Sequence, residues 1–172
     1  MLTGTTSLDL VALHEAGHAV AHVRLQIPQL RASIIEAGDT VGSVRSQCEV
    51  WSRDEAAAMA IAYCSGYAAL VAAGLAETEA SAGCDSDFRC VQDLVVAWQL
   101  EGGLDQIKSA AVSMMIKPEN SSAVSLVARE LLANRTLDDD VIDLLVDVAD
   151  GHCSRDAFDR FLVARASPPL EG

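Results

Sequence analysis

The residues best suited to chemistry are the two histidines and the glutamate of His14-Glu15-Ala16-Gly17-His18. On an α-helix, side chains four residues apart lie on the same face, one turn above one another. Two imidazoles at this spacing can bind one tetrahedral zinc ion, and the glutamate can then act as a general base beside the metal. The pattern H-E-x-x-H therefore predicts a zinc hydrolase. An ordinary pair of half-buried helical histidines is the alternative.

The flanking sequence predicts the helix that this motif requires. No proline precedes Pro28, and apolar residues surround the motif, which favours a helix over residues 8–25. Gly17 lies in the middle of this helix, where glycine costs roughly 1 kcal/mol relative to alanine. A glycine there indicates that something packs closely against the backbone, so we expect Gly17 at the cleft.

The third zinc ligand is not evident from spacing. Catalytic zinc takes three protein ligands and keeps one open position, but Arg24 stands where a longer H-E-x-x-H-x-x-G-x-x-H motif would have its third histidine. His14, His18 and His22 share a face, yet they extend over about 12 Å of helix and cannot all reach one ion. We therefore expect His22 to line the cleft. The acidic candidates for the third ligand are Asp85, Asp87, Glu77, Glu79 and Asp93.

Composition predicts one mainly helical domain. The 172 residues are 51% hydrophobic but only 4% aromatic, so small aliphatic side chains must fill the core and bring helices close together. We expect a single domain over 1–172, with loose ends at 1–7 and 166–172. The formal net charge of −13 argues against binding to nucleic acids or to anionic membranes.

The cysteines indicate a reducing compartment. Their number is odd and no C-x-x-C pair occurs, which excludes a regular disulfide framework and a cysteine-type zinc site; they are Cys48, Cys64, Cys84, Cys90 and Cys153. The segment MLTGTTSLDL lacks a basic stretch followed by an apolar one, so no secretory signal is expected. We expect a cytoplasmic protein with buried free thiols.

The remaining pattern predicts a small hairpin and a series of helices. Strands over 31–37 and 40–46 flank the turn pair Gly38-Asp39. The exposed edge of this hairpin could hold an extended peptide, and a simple hairpin that caps the helical body is the alternative. Ser52 and Glu55 form a capping box that opens a helix to about residue 73. A loop over 77–83 follows, then helices over 87–100, 104–115, 120–133, 137–148 and, after Ser154, to about 164.

One segment is long enough to cross a membrane. Residues 56–76 carry no charge. Alanine and glycine dominate them, however, and contribute little to membrane insertion, so a helix enclosed by other helices is the better interpretation. A small membrane-embedded protease is a third functional hypothesis, which rests on this segment alone.

Several segments, in their order along the chain, resemble the peptidase domain of FtsH-type ATP-dependent zinc proteases. They are HEAGHAV, SIIEAG with VGSV, CSGYAAL and GCDSDFRCVQDL, followed by the weaker EGGL and ARELLANRTL. The resemblance covers roughly residues 8–165. In that family a Gly-Ala-Ser-Asn-Asp-Leu segment, which aligns with residues 83–88, provides the third zinc ligand. The resemblance thus implies a zinc site of His14, His18 and Asp87, with Glu15 as the catalytic base.

The chain also departs from that family. Ser65, Tyr67 and Leu70 replace a glycine, an arginine and an acidic residue of the segment Gly-Gly-Arg-Ala-Ala-Glu. The sequence contains no G-x-x-x-x-G-K-[ST] phosphate loop and no pair of transmembrane segments, so it is not itself an ATPase. The resemblance then implies a stand-alone endopeptidase that cleaves unfolded polypeptides or polypeptides delivered by a partner. A separate ATPase and self-association are both open as partners.

The runner-up hypothesis is a non-catalytic regulatory or protein-binding module of the same fold, with the metal as a structural clasp. Glu15 argues against it, because a structural site has no need for a general base.

Overall fold

The described part of the chain is mainly helical, with one small sheet, as predicted. The computed structural model describes residues 7–28, 31–35, 42–45 and 49–166. Its helices are α1 (Ser7–Arg24), α2 (Arg53–Ala72), α3 (Glu77–Ala80), α4 (Asp85–Trp98), α5 (Gly103–Met115), α6 (Pro118–Asn134), α7 (Asp139–Ala149) and α8 (Arg155–Ala166). Its strands are β1 (Arg31–Ser33), β2 (Ser43–Arg45) and β3 (Thr136–Asp138).

Helix α2 is the central element, with α1, α4 and α5 packed around it. It begins at the predicted capping box, in which the Glu55 backbone N–H donates to Ser52 Oγ and the Ser52 N–H donates to Glu55 Oε2. Small buried residues let neighbouring helices approach on several sides; they include Ala60, Ala62, Ala68 and Ala69. Among the described residues, α2 is the one helix long and apolar enough to cross a membrane, and 61% of its apolar window is buried in the protein.

Gly17 lies where α1 crosses α2. A Cβ at this position would lie 2.3 Å from the Ser65 carbonyl oxygen and 2.6 Å from the Ala69 Cβ, so only glycine permits this separation of the helices. The close approach predicted for Gly17 is therefore confirmed. Its place is different, because the glycine is buried between the two helices and does not line the cleft.

The sheet lies beside α1, and β1 is its central strand. β1 pairs antiparallel with β2, which confirms the pairing of the predicted hairpin, and the predicted turn Gly38-Asp39 lies outside the described residues. β1 also pairs with β3, where Ala32 faces Leu137. The helix predicted over 137–148 was wrong at its start. Leu137 is buried in an extended segment, and α7 begins only at Asp139.

Smaller differences concern the ends of elements. The predicted loop 77–83 contains the single turn α3, and α4 begins two residues earlier than predicted, which places Asp87 in its first turn. Ser7 and Ala166 were expected in loose ends but belong to helices. Residues 1–6 and 167–172 lie outside the described part. Cys64 and Cys84 are buried free thiols, Cys90 and Cys153 are partly buried and free, and Cys48 is not among the described residues.

Candidate metal centre

The two motif histidines lie side by side on one face of α1. Their Nε2 atoms are 3.0 Å apart, and the rings meet edge to face at a centroid distance of 4.6 Å. His18 is buried and His14 is partly buried. The spacing of four residues therefore brings both imidazole nitrogens to one point, as the motif predicts.

Asp87 completes this group from the first turn of α4. Its Oδ2 lies 3.2 Å from His14 Nε2 and 3.4 Å from His18 Nε2. Within the described ranges, these three residues are the only group of three potential metal-ligating side chains whose ligand atoms all lie within 4.8 Å of one another. Of the other acidic candidates, Glu79 lines the surrounding cavity, and Asp85, Glu77 and Asp93 are neither in the group nor on the cavity wall.

The three ligand atoms fit a tetrahedral zinc ion. Ligands about 2.0–2.1 Å from an ion at tetrahedral angles are about 3.3–3.4 Å from one another, and the three separations here are 3.0, 3.2 and 3.4 Å. His18 Nδ1 lies 2.8 Å from the Ala62 carbonyl oxygen, which can only accept, so Nδ1 carries a proton and Nε2 is the nitrogen left to bind a metal ion. Nε2 faces the Asp87 carboxylate, so the position between them can hold either a proton of the imidazole or a metal ion that replaces it.

The two imidazoles have different supports. His18 donates to the backbone of α2 at Ala62. His14 Nδ1 instead lies 3.9 Å from the Cys84 sulfur, and the Cys84 thiol donates to the Ala80 carbonyl at 3.2 Å. Partners of this kind hold the ring orientation and the tautomer of a metal-binding histidine. Sequence patterns gave no sign of either support, because both join residues that are distant along the chain.

Gly66 of α2 makes room for both rings. A Cβ at Gly66 would lie 2.6 Å from His14 Cε1 and 2.6 Å from His18 Nε2. The glycine is therefore required by the imidazoles themselves. This packing joins α1 and α2, whose residues here are distant along the chain.

Glu15 lies beside the cluster and is almost fully buried, with 6% of its surface exposed. Its Oε2 has no hydrogen-bond partner among the described residues, and its Oε1 would be only 2.3 Å from a Cβ at Gly42. Burial raises the pKa of Glu15 to about 7, against the opposing effect of His18. A buried carboxylate with a free oxygen is what a general base for a water molecule requires.

Burial and Asp87 together set the protonation of the histidines. Burial lowers the pKa of His14. Burial is the largest single effect on the pKa of His18 and acts to lower it, but the hydrogen bond to Asp87 and the negative charges of Asp87 and Glu15 together raise the pKa. Burial acts to raise the pKa of Asp87, yet hydrogen bonds from His14 and His18 hold it well below its usual range. Asp87 is thus an anion at neutral pH, as a metal ligand must be.

The cluster opens into a cavity of about 790 Å³. Ser43 and Val44 of the edge strand β2 form part of its wall, with Tyr63 and Leu70 of α2 on another side. His22 lines the same cavity, as predicted, and burial lowers its pKa to about 4, so its ring is neutral at physiological pH.

Comparison with models of known protein families found no match, and no curated protein matches the chain.

Proposed function

We propose that this protein is a zinc-dependent endopeptidase. The observation that carries the proposal is the convergence of His14 Nε2, His18 Nε2 and Asp87 Oδ2 beside the unpartnered carboxylate oxygen of Glu15. These side chains supply the three protein ligands of a catalytic zinc site and a base, inside a cavity large enough for substrate. The resemblance to FtsH-type peptidases supports the same assignment.

Zinc, held by His14, His18 and Asp87, would polarise the scissile carbonyl and lower the pKa of water to about 7. Glu15 takes a proton from the attacking water at its free Oε2 and later donates a proton to the leaving amine. The hydrogen bond from His18 Nδ1 to Ala62 keeps the imidazole in the tautomer that presents Nε2 to the cavity.

The cavity wall favours an extended polypeptide as substrate. β2 is at the edge of the sheet in the order β2-β1-β3, and no described strand pairs with its outer side. An extended segment can add to such an edge through backbone hydrogen bonds and lie over the cluster. Only an extended segment fits such an edge, so the expected substrates are chains that are already unfolded or that a partner delivers.

The test compares zinc-loaded protein with the variant Glu15→Gln on an unfolded, casein-like substrate. Glutamine keeps the shape of the side chain but cannot accept the proton, so we expect zinc binding to persist while hydrolysis falls by about 100-fold or more. Zinc content is measured by atomic absorption and cleavage by release of fluorescent peptides. Equal cleavage by both proteins would refute the role of Glu15. Zinc binding without any cleavage by the parent protein would favour the non-catalytic module.

A further inference from the structure

A second cavity, of about 490 Å³, lies at the C-terminal end of α1. One side is formed by α1 and the residues that follow it, from His22 to Pro28. The opposite side carries three carboxylates of α7, which are Asp139, Asp143 and Asp147. None of these three residues belongs to the metal centre.

These three carboxylates form an acidic wall, and few of the basic side chains that the structure describes pair with them. They are four residues apart, so they occupy one face of α7, where like charges at this spacing repel one another. Within the described residues, Asp139 and Asp143 form no ion pair, and Asp147 has only the exposed His152 at 3.7 Å. Burial and the neighbouring carboxylates raise the pKa of Asp143, which reflects the same crowding of negative charge.

The nearest basic side chain of α1, Arg24, forms its ion pair outside the acidic wall. Arg24 forms a two-pronged pair with Asp150, at 2.6 and 2.7 Å, and donates from Nε to Asn120 Oδ1 at 2.7 Å. Its guanidinium is therefore held by Asp150, and its charge also acts on Asp147, while Asp139 and Asp143 have no ion pair among the described residues. The C-terminal end of α1 itself favours positive charge, because the last carbonyl groups of a helix carry the negative end of its dipole.

His22 independently indicates that the second cavity receives a ligand. The side chain is 94% buried, since its exposed fraction is 6%, and it lines both cavities. Its Nδ1 has no hydrogen-bond partner in the described part of the chain. A buried polar atom without a partner is unfavourable and calls for an explanation, such as a group that arrives with a ligand. His22 also lies one turn beyond His18, so the metal centre and the second cavity share this side chain as a wall.

The spacing of the carboxylates suits an extended cationic chain better than a single ion. Residues four apart on a helix are about 6 Å apart along its axis, so the three carboxylates extend over about 12 Å and cannot enclose one metal ion. Side chains on one face of an extended peptide repeat about every 6.6–6.8 Å. Alternate basic residues of such a peptide would meet successive carboxylates.

We propose that this cavity is a subsite for lysine or arginine side chains of the polypeptide substrate, on the part of the chain that runs from the metal centre along the end of α1. The proposal rests on the proposed peptidase function. It gives the enzyme a preference for basic segments, and the net charge of −13 attracts the same substrates at long range.

The test measures binding without hydrolysis. Fluorescent peptides of about ten residues, with lysine, glutamine or glutamate at two alternate positions, are titrated with the Glu15→Gln protein at low ionic strength and followed by anisotropy. We expect the lysine peptide to bind on the order of tenfold more tightly than the glutamine peptide, and the glutamate peptide to bind most weakly. Equal affinities for the lysine and glutamine peptides would overturn the proposal.

The location is tested with two double variants of equal charge change. Asp139→Asn with Asp143→Asn removes two carboxylates of the wall, and Asp93→Asn with Asp105→Asn removes two exposed carboxylates of α4 and α5. The first pair should abolish most of the lysine preference, and the second should change it by less than about twofold. If the two double variants lowered the lysine preference equally, the preference would come from the net charge of the protein and not from this cavity. If Mg²⁺ bound to this cavity more strongly than the lysine peptide, the cavity would be a metal site and the peptide subsite would be refuted.

These measurements also separate the two proposals. Lysine preference should persist after zinc is removed with a chelator, because the wall contains none of the metal ligands. If the parent protein neither binds zinc nor cleaves peptides while the preference persists, the peptidase proposal fails and a peptide-binding site remains. If cleavage is observed without any lysine preference, the subsite alone is refuted.

Discussion

At the scale of single residues, the two imidazoles of the metal centre differ in how firmly they are held. His18 donates to a backbone carbonyl of α2 at 2.8 Å, whereas His14 Nδ1 faces the Cys84 sulfur at 3.9 Å. Sulfur is a weak acceptor, so the thiol orients the ring less strongly than a carbonyl does. Of the two proposed histidine ligands, His14 is therefore the one whose orientation depends most on a single side chain.

Removal of that thiol should weaken zinc binding without removing a ligand. For Cys84→Ala we expect a loss of zinc affinity on the order of tenfold, and for Cys84→Ser a smaller loss, because serine restores an acceptor. The measurement is a competitive zinc titration against a chelating dye. Cys64→Ala is the matched control, since Cys64 is also a buried thiol, whereas it is Cys84 that lies at hydrogen-bond distance from His14. Equal losses for Cys64→Ala and Cys84→Ala would exclude a positioning role.

The third ligand is tested by two neighbouring aspartates. Asp87→Ala removes an oxygen that lies within 3.4 Å of both Nε2 atoms. We expect its zinc affinity to fall by more than the roughly 10–100-fold that is typical of outer-shell changes. Asp85→Ala removes an exposed carboxylate from the same turn and should leave the affinity within about twofold of the parent. If the same zinc titration showed a larger loss of affinity for Asp85→Ala than for Asp87→Ala, Asp85 would be the third ligand.

At the scale of the elements, two glycines allow close contacts between α1 and α2. Gly17 of α1 packs against the backbone of α2, and Gly66 of α2 packs against the two imidazoles. At the first contact, Gly17 of α1 meets the backbone of α2 at Ser65, and a backbone carbonyl cannot yield. At the second, Gly66 meets side chains, which can rotate. The two glycines therefore serve different ends, helix packing and ligand placement.

Alanine at each glycine should separate these two roles. Gly17→Ala must push α1 and α2 apart, and we expect a loss of about 1–3 kcal/mol in the free energy of unfolding, partly offset by the helix propensity of alanine. Gly66→Ala should cost less stability but displace His14 and His18 and weaken zinc binding. Urea unfolding of the metal-free proteins and zinc titration measure the two effects. A Gly66→Ala protein with parental zinc affinity would contradict the steric account.

The elements differ in how well their sequence predicts them. The pattern around the motif predicts α1 within one residue at each end, and the capping box at Ser52 fixes the start of α2. β3 was missed because its three residues have no periodicity of their own, and its pairing with β1 is a tertiary interaction. The histidines of the site follow from helical spacing alone. Asp87 needed the family resemblance, and Ala62 and Cys84 could not be found, because only the packing of α2 and α4 brings them to the site.

At the scale of the whole molecule, global stability should depend on the pH through His22. Burial lowers the pKa of this histidine from 6.5 to about 4, so the unfolded state binds more protons than the folded state between these values. The contribution of His22 to stability therefore falls as the pH decreases from about 6.5 to 4, by up to ~3 kcal/mol, while the raised pKa of Glu15 acts in the opposite sense in both the parent and the variant. His22→Gln should remove this contribution.

The comparison is made by urea unfolding of metal-free protein at about pH 7 and about pH 4.5. We expect the parent protein to lose more stability on acidification than the His22→Gln variant. His152→Gln is the control, because it makes the same replacement at an exposed histidine. If the parent and the His22→Gln variant lose equal stability, His22 is not held neutral by burial.

Three helices together build the candidate metal centre. α1 carries the two proposed zinc ligands, the proposed base and His22, α2 supports the imidazoles through Ala62, and α4 brings Asp87 to the same point. The most direct test is anomalous diffraction at the zinc edge from crystals of zinc-loaded protein. We predict one strong peak about 2.0–2.2 Å from His14 Nε2, His18 Nε2 and an Asp87 oxygen. A zinc-loaded crystal without a peak between these atoms, or with its zinc bound elsewhere, would contradict the central claim.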